Sequence, residues 1–294
     1  VAASLLLVAL VVAMAWAGLH YARIARELEP ASRADRDAIG QVIDPVEDLS
    51  SAGPIYILVL GADARPGETR SRSDTIILTR VDVAKRAVSM ISIPRDSRVP
   101  VEGHGLDKIN HANAYGGAAL AIKTVQAYTG LPVNHYIELD FEGFTALVDA
   151  VGGVTVRVDQ ATTGIPAGTQ RLDAAQALTF VRSRAYPDGD FTRVKNQQKF
   201  LVAFAKQALS RGNLIRLPST AEAVADNVET DMTATELLQL AFAMKGIDDD
   251  DITGTTVPGT TATIGGISYV IPDEAAASVL FEQFRAGSVP STGQ

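Results

Sequence analysis

"IYILVLGADARPGETRSRSDTIILTRVDVAKRAVSMISIPRD", residues 55–96, contains three apolar runs, each with charged residues at one end. Ile55–Leu60 is short and continuously apolar, the pattern of a strand covered on both faces. "DTIILTRVDV" (74–83) and "AVSMISI" (87–93) read as two further strands joined through the "AKR" connection. If the second strand runs antiparallel to the other two, Asp63, Arg65, Arg72, Asp74, Arg95 and Asp96 gather at one edge of a sheet. In open α/β sheets that edge is where ligands bind. Arg95–Asp96 is then either a surface salt bridge or one wall of an anion site.

Outward from this stretch, strands and helices alternate. A helix is expected over 111–130, a strand over 134–140, a helix over 141–153 and a strand at "VTVRVD" (154–159). A helix over 173–183 has Asp173 as its N-cap, and a long helix follows over 191–212. Helices near 219–228 and 233–245, short strands around 252–271 and a last helix over 273–286 complete the reading. Alternation places the chain in the α/β class with a central sheet.

Composition excludes several functions. Of 26 basic residues 19 are Arg, yet the net charge is −8 and the pI about 5.1, so no nucleic-acid partner is expected. There is no cysteine, hence no disulfide or thiol chemistry, and four scattered histidines make a zinc site improbable. No Walker loop, GxSxG elbow or HExxH occurs.

The N-terminus, "VAASLLLVALVVAMAWAGL", is 19 residues without a charge, about 28 Å as a helix. It reads as a transmembrane anchor over 1–21, with a cleaved signal peptide as the rival. Arg23 and Arg26 after it favour a cytoplasmic C-terminus by charge alone. The polar residues 22–53 read as a juxtamembrane linker, and 54–290 as the globular domain.

Taken singly, the polar residues at element ends are ordinary: His104, His111 and His135 suit structural hydrogen bonds, and Gly116–Gly117 suits a turn or close packing. Their convergence says more. "FVRSRAYPDGDFTR" adds Arg182, Arg184, Asp188, Asp190 and Arg193, and Gln197 shares a helix face with Arg193. Arginine grips phosphate bidentately, and two carboxylates can hold Mg²⁺ whose shell the phosphates complete. The pattern points to phosphoryl handling by positioning and electrostatics.

The blocks "LGADAR", "RSRSDTIILTRVD", "SIPRDSRV", "KINHANAYGG", "FEGFTALVDAVGGVTVRV", "AQALTFVRSR" and "GDFTRVKNQQ" resemble, in order over roughly 55–210, the LytR-CpsA-Psr family of cell-wall glycopolymer ligases. The resemblance implies a three-layer αβα sandwich with a central mixed sheet and an apolar lipid groove, preceded by the N-terminal transmembrane helix. It implies a single-pass cell-membrane protein with its catalytic domain on the extracytoplasmic side, against the charge signal. The implied activity is a phosphotransferase that moves a glycopolymer from a polyprenyl-pyrophosphate carrier onto a peptidoglycan hydroxyl. The implied partners are those two substrates and the membrane, and the implied cofactor is Mg²⁺ or Mn²⁺. Carried over by motif position, Arg72, Arg95, Lys108, Arg182, Arg184, Arg193 and Gln197 would bind the pyrophosphate, and Asp63 and Asp74 the metal. Arg72, Arg95, Asp190 and Arg193 would be catalytic, with Asp190 or Asp96 as candidates for a general base. Two positions depart from the family pattern: Asn196, where many members carry arginine, and Ala174, where glycine is common. A binder of lipid-linked precursors with a regulatory role, or a pyrophosphatase that uses water, would draw on the same clamp. The groove is expected between the sheet and helix 111–130 or 141–153, with Ala118, Ala119 and Ala121 leaving room for the lipid.

Overall fold

Every apolar run singled out in residues 55–93 forms a strand of one six-stranded mixed sheet. The computed structural model describes residues 33–46, 53–62, 70–183, 185–186, 190–208, 228–244, 247 and 251–289. Strands β1 (Ile55–Ala62), β2 (Ser73–Asp82) and β3 (Ala87–Ser92) form an antiparallel meander. β6 (His135–Leu139) joins β1 in parallel and β10 (Ile252–Thr256) joins β3 in parallel, while β9 (Val228–Thr230) closes the far edge against β6. The order is β10-β3-β2-β1-β6-β9.

Because both faces of the meander are apolar, both must be covered. On one face Tyr56, Leu58, Leu60, Ile76, Leu78 and Ile91 pack against helix α2 (His111–Thr129) and a C-terminal helix that runs over Glu274–Ala286. The other face presents Ile55, Ile57, Ile77, Val81 and Met90. It is covered by α5 (Asp190–Ala208) and α6 (Ala234–Ala243), with α3 (Phe141–Ala150) and α4 (Ala174–Arg182) packed beside them. The helices on both faces make the sandwich. Their ends follow local chemistry: Asp140 caps α3 by accepting from Gly143 N, and Asp173 and Gln176 form a capping box on α4.

Four corrections to the sequence reading follow. The expected transmembrane helix is not found: among the described residues no helix is long and apolar enough to cross a membrane, and 1–21 lie outside them. The described residues form the mixed-sheet sandwich, and the single-pass anchor and the topology inferred from it are withdrawn. Second, the stretch read as linker contains α1 (Arg33–Gly40), whose Ile39 is buried in the first core. Third, the ribbon of β4 (Arg98–Val101) with β5 (Gly105–Lys108) was not expected, nor was β8 (Gly168–Leu172), which pairs with the expected strand β7 (Val154–Val158); the short strands expected around 252–271 include a ribbon of β11 (Gly259–Ile264) with β12 (Ile267–Pro272). The C-terminal helix named above, α7, follows the last of them. Fourth, Val228, read as the end of a helix from 219, starts β9, and 219–227 lie outside the described residues.

Candidate active site at the edge of the sheet

The antiparallel meander brings the start of β2 beside the end of β3. Ile93 N still donates to Ile76 O (2.9 Å), but Pro94 has no N–H to continue the ladder, and Ser97 N turns back onto Pro94 O (2.9 Å). Arg95 and Asp96 are thus held in a tight turn just beyond the sheet. Arg95 Nη1 donates to Asp74 Oδ1 at 2.6 Å, and its Nε lies 3.5 Å from Asp96 Oδ2. Lys108 Nζ donates to the other Asp96 oxygen at 2.7 Å. The Arg95 side chain is 19 % exposed and that of Asp74 is 52 % exposed, so the pair opens outward through its carboxylate.

A cleft of about 390 Å³ lies at this point. Asp74, Thr75, Ile77, Ser92 and Pro94–Asp96 form one wall, and Arg193 and Gln197 of α5 descend from above the sheet. Thr261, Ser268, Tyr269 and Val270 of the β11–β12 ribbon close the remaining side. That ribbon is fastened by Val270 N donating to Asp96 O at 2.8 Å. Arg193 is 6 % exposed, a buried cation at the first turns of α5, where the helix dipole already favours an anion. Gln197 Nε2 is held by Val181 O at 3.2 Å. Asn196 is also buried, but its Nδ2 donates to Tyr186 Oη at 3.0 Å, tying the chain before α5 to that helix.

A second, apolar cavity of about 90 Å³ adjoins the cleft; Thr75 and Gln197 line both. Its walls are Val59, Leu139, Phe141, Phe144, Leu178, Val181, Phe200 and Leu201, with the Arg182 guanidinium lying 4.0 Å over the Phe141 ring. It therefore sits under α3, the second of the two places expected from sequence. Under α2 the space is different. Ala121 is packed in the core, and Ala118 and Ala119 border a polar cavity of about 250 Å³ with Asp35, Arg70, Asn113, Glu138 and Glu229. Burial there pushes the Glu138 carboxyl up to about 7, partly offset by a hydrogen bond from Asn113 Nδ2 (2.9 Å).

Of the residues expected in the site, Asp74, Arg95, Arg193 and Gln197 meet in the cleft. Lys108 reaches it through Asp96, Arg182 guards the apolar cavity, and Arg72 is exposed immediately before β2. Asp190 opens α5, but its side chain, like all of Asp63 and Arg184, lies outside the described residues. Sequence reasoning missed Tyr269, Thr261 and Ser268, which come from a ribbon some 170 residues further along the chain than Arg95. The only signal for them was the alternating "ISYVIP" segment itself.

No group of three or more His, Cys, Asp or Glu poised for a metal occurs among the described residues. Magnesium does not require one: it is held by one or two carboxylates, with substrate phosphates and water completing an octahedron. The exposed Asp74 carboxylate at the mouth of an arginine-lined cleft fits that mode.

The chain is similar to known proteins over most of its length. The LytR_cpsA_psr family model matches residues 21–286. A polyisoprenyl-teichoic acid–peptidoglycan teichoic acid transferase, TagU, from Halalkalibacterium halodurans is 35 % identical over 263 residues, 85 % of this chain and 84 % of that protein. Among solved structures, Bacillus subtilis TagV superposes with a TM-score of 0.71 at 28 % identity, covering 81 % of this chain and 99 % of that one. A structure of TagT bound to LI-WTA superposes with a TM-score of 0.70 at 25 % identity, covering 82 % and 93 %.

Proposed function

The chain belongs to the LytR-CpsA-Psr family, and from that premise we propose that it transfers a glycopolymer from a polyprenyl-pyrophosphate carrier to a hydroxyl of peptidoglycan. The observation that carries the proposal is the junction at Thr75 and Gln197, where an arginine-lined polar cleft opens onto an apolar cavity. A lipid pyrophosphate has those two parts in that order. The relative's printed name, a polyisoprenyl-linked polymer transferase, is consistent with it.

In this reading Arg95, Arg193 and Gln197 hold the pyrophosphate, with Arg72, Arg182, Arg184 and Lys108 around it. Fixed guanidinium groups stabilise charge that develops on the transferred phosphoryl group and on the bridging oxygen. The acceptor hydroxyl forms a new P–O bond, the bond to the bridging oxygen breaks, and polyprenyl phosphate leaves. Asp74, with Asp63, would hold Mg²⁺ (or Mn²⁺), which when bound neutralises phosphate charge. Both oxygens of Asp96 are already engaged by Arg95 and Lys108. Asp190 is therefore the better candidate to take the hydroxyl proton. The apolar cavity as it stands receives only the first part of the lipid; for the remainder, the Phe144 and Phe200 rings, packed with centroids 5.1 Å apart, would have to part.

A transfer assay with a lipid-linked glycan and a peptidoglycan acceptor tests the proposal. Phosphodiester-linked product with stoichiometric polyprenyl phosphate is expected. Release of the lipid phosphate without product would mean a pyrophosphatase, and binding without turnover would mean a precursor-binding protein.

A further inference from the structure

Just outside the cleft, on the α2 side of the sheet, lies an aromatic pair that the mechanism above does not use. His104 and Tyr115 stack with ring centroids 4.0 Å apart and planes 13° from parallel. Tyr115 nonetheless remains 43 % exposed. Its orientation is fixed rather than left to solvent. The Tyr115 hydroxyl donates to Asp107 Oδ2 (2.8 Å), which His111 Nδ1 also meets at 2.9 Å, and the His111 ring packs edge-on against Tyr115.

The backbone is shaped to present it. Helix α2 breaks directly after Tyr115: Gly116 is non-helical and Gly117 has φ +65°. A Cβ at Gly116 would lie 2.5 Å from Leu120 Cβ, and one at Gly117 would lie 3.2 Å from Arg70 Nε. Neither position accepts a side chain without movement, so the first turn of α2 is offset from the rest and carries Tyr115 outward. The pair is also wired to the cleft. Asp107 precedes Lys108, which grips Asp96 beside Arg95, and Lys108 lies 5.6 Å over the Tyr269 ring that lines the cleft.

We propose that the His104–Tyr115 stack is a saccharide platform that receives the glycan strand of the acceptor. An exposed, rigid aromatic face is electron-rich and attracts the polarised C–H bonds on the flat side of a pyranose ring, and Asp107, engaged by Tyr115, His111 and the Lys108 N–H, holds that face in place. The acceptor, rather than the donor, is favoured by position. The apolar cavity lies on the opposite face of the sheet under α3, with Asp74 and Arg95 at the edge between. In an in-line displacement the attacking oxygen enters opposite the leaving lipid phosphate. The platform stands on that entering side. This assignment of the acceptor rests on the transfer reaction proposed above; the platform itself does not.

The test is calorimetry on the full chain, with a β-1,4-linked N-acetylglucosamine tetramer and inorganic pyrophosphate as separate probes. Saturable tetramer binding in the millimolar range is expected, weakened about tenfold or more in Tyr115→Ala, with pyrophosphate affinity unchanged within about twofold. Tyr115→Phe, which keeps the ring and loses only the bond to Asp107, should retain most of the affinity. In the transfer assay Tyr115→Ala should raise the KM for acceptor and leave that for donor. Absence of tetramer binding in the wild type, or equal binding by Tyr115→Ala, overturns the platform. A raised KM for donor alone overturns the acceptor assignment. Tetramer binding that depends on Tyr115 in a protein without transfer activity would support the platform and sink the transfer reading instead.

Discussion

Replacing Arg95 by lysine keeps the charge and removes the fork, which makes it the sharpest probe of the cleft. The wild-type guanidinium donates from Nη1 to Asp74 (2.6 Å) and directs Nε at Asp96 (3.5 Å) while lining the cleft. A lysine ammonium is one point with three donors and cannot span Asp74, Asp96 and a phosphate in one plane. At least one charge-assisted hydrogen bond to the substrate is then lost, and each is worth about 1.5–3 kcal/mol, or about 10- to 150-fold. The expected result for Arg95→Lys is therefore a fall in kcat/KM of about 10- to 150-fold, measured by transfer of a radiolabelled lipid-linked glycan. Stability should barely change, because an ion pair to a half-exposed partner such as Asp74 contributes only about 0–1 kcal/mol. Turnover within about threefold of wild type, with an unchanged melting temperature, would refute the clamp and leave Arg95–Asp74 as a surface salt bridge.

Three further perturbations address other parts of the site. Asp74→Asn should raise the Mg²⁺ concentration for half-maximal activity by about tenfold or more, measured by metal titration after chelation, and full wild-type activity in excess chelator would exclude a metal role. Leu178→Trp should fill the apolar cavity and abolish binding of a prenyl pyrophosphate while inorganic pyrophosphate still binds; retained prenyl affinity by calorimetry would place the lipid elsewhere. Glu138, with its carboxyl raised from 4.5 to about 7, holds a proton in the folded state that the unfolded chain has released, so its ionisation opposes folding. Stability should fall as pH rises from about 4.5 through 7, by at most on the order of 3 kcal/mol, and Glu138→Gln should flatten that slope in denaturant titrations; an unchanged slope would remove Glu138 as its source.

What was legible in the sequence depended on whether a signal was local. The meander announces itself because Ile55–Leu60, Ile76–Leu78 and Met90–Ile93 are apolar on both faces, and a sheet buried on both sides leaves no other reading. The place of Arg95 at the sheet edge was legible for the same reason: Pro94 ends the ladder one residue before it, so its position beyond the sheet follows from backbone chemistry. The groove was only half legible. Alanine in α2 and phenylalanine in α3 both suggest space near a sheet, and composition alone does not say which helix has polar neighbours. Glu138 lines only the polar cavity under α2, whereas its neighbour Leu139 borders the apolar cavity under α3 as well, so adjacent residues of one strand serve cavities of different character. The β11–β12 ribbon was illegible as part of the site because nothing in its own residues encodes a partner 170 positions away; only the bond from Val270 N to Asp96 O brings Tyr269 to the cleft. The departure at Asn196 has a similar resolution. Its amide binds Tyr186 Oη inside the protein, so it fixes how the 185–186 segment approaches α5 and thereby how Arg193, one turn earlier, is held. An arginine at 196 would have to find another partner for its charge at a site only 5 % exposed, and in this chain that position is given to the scaffold while Arg193 supplies the cation.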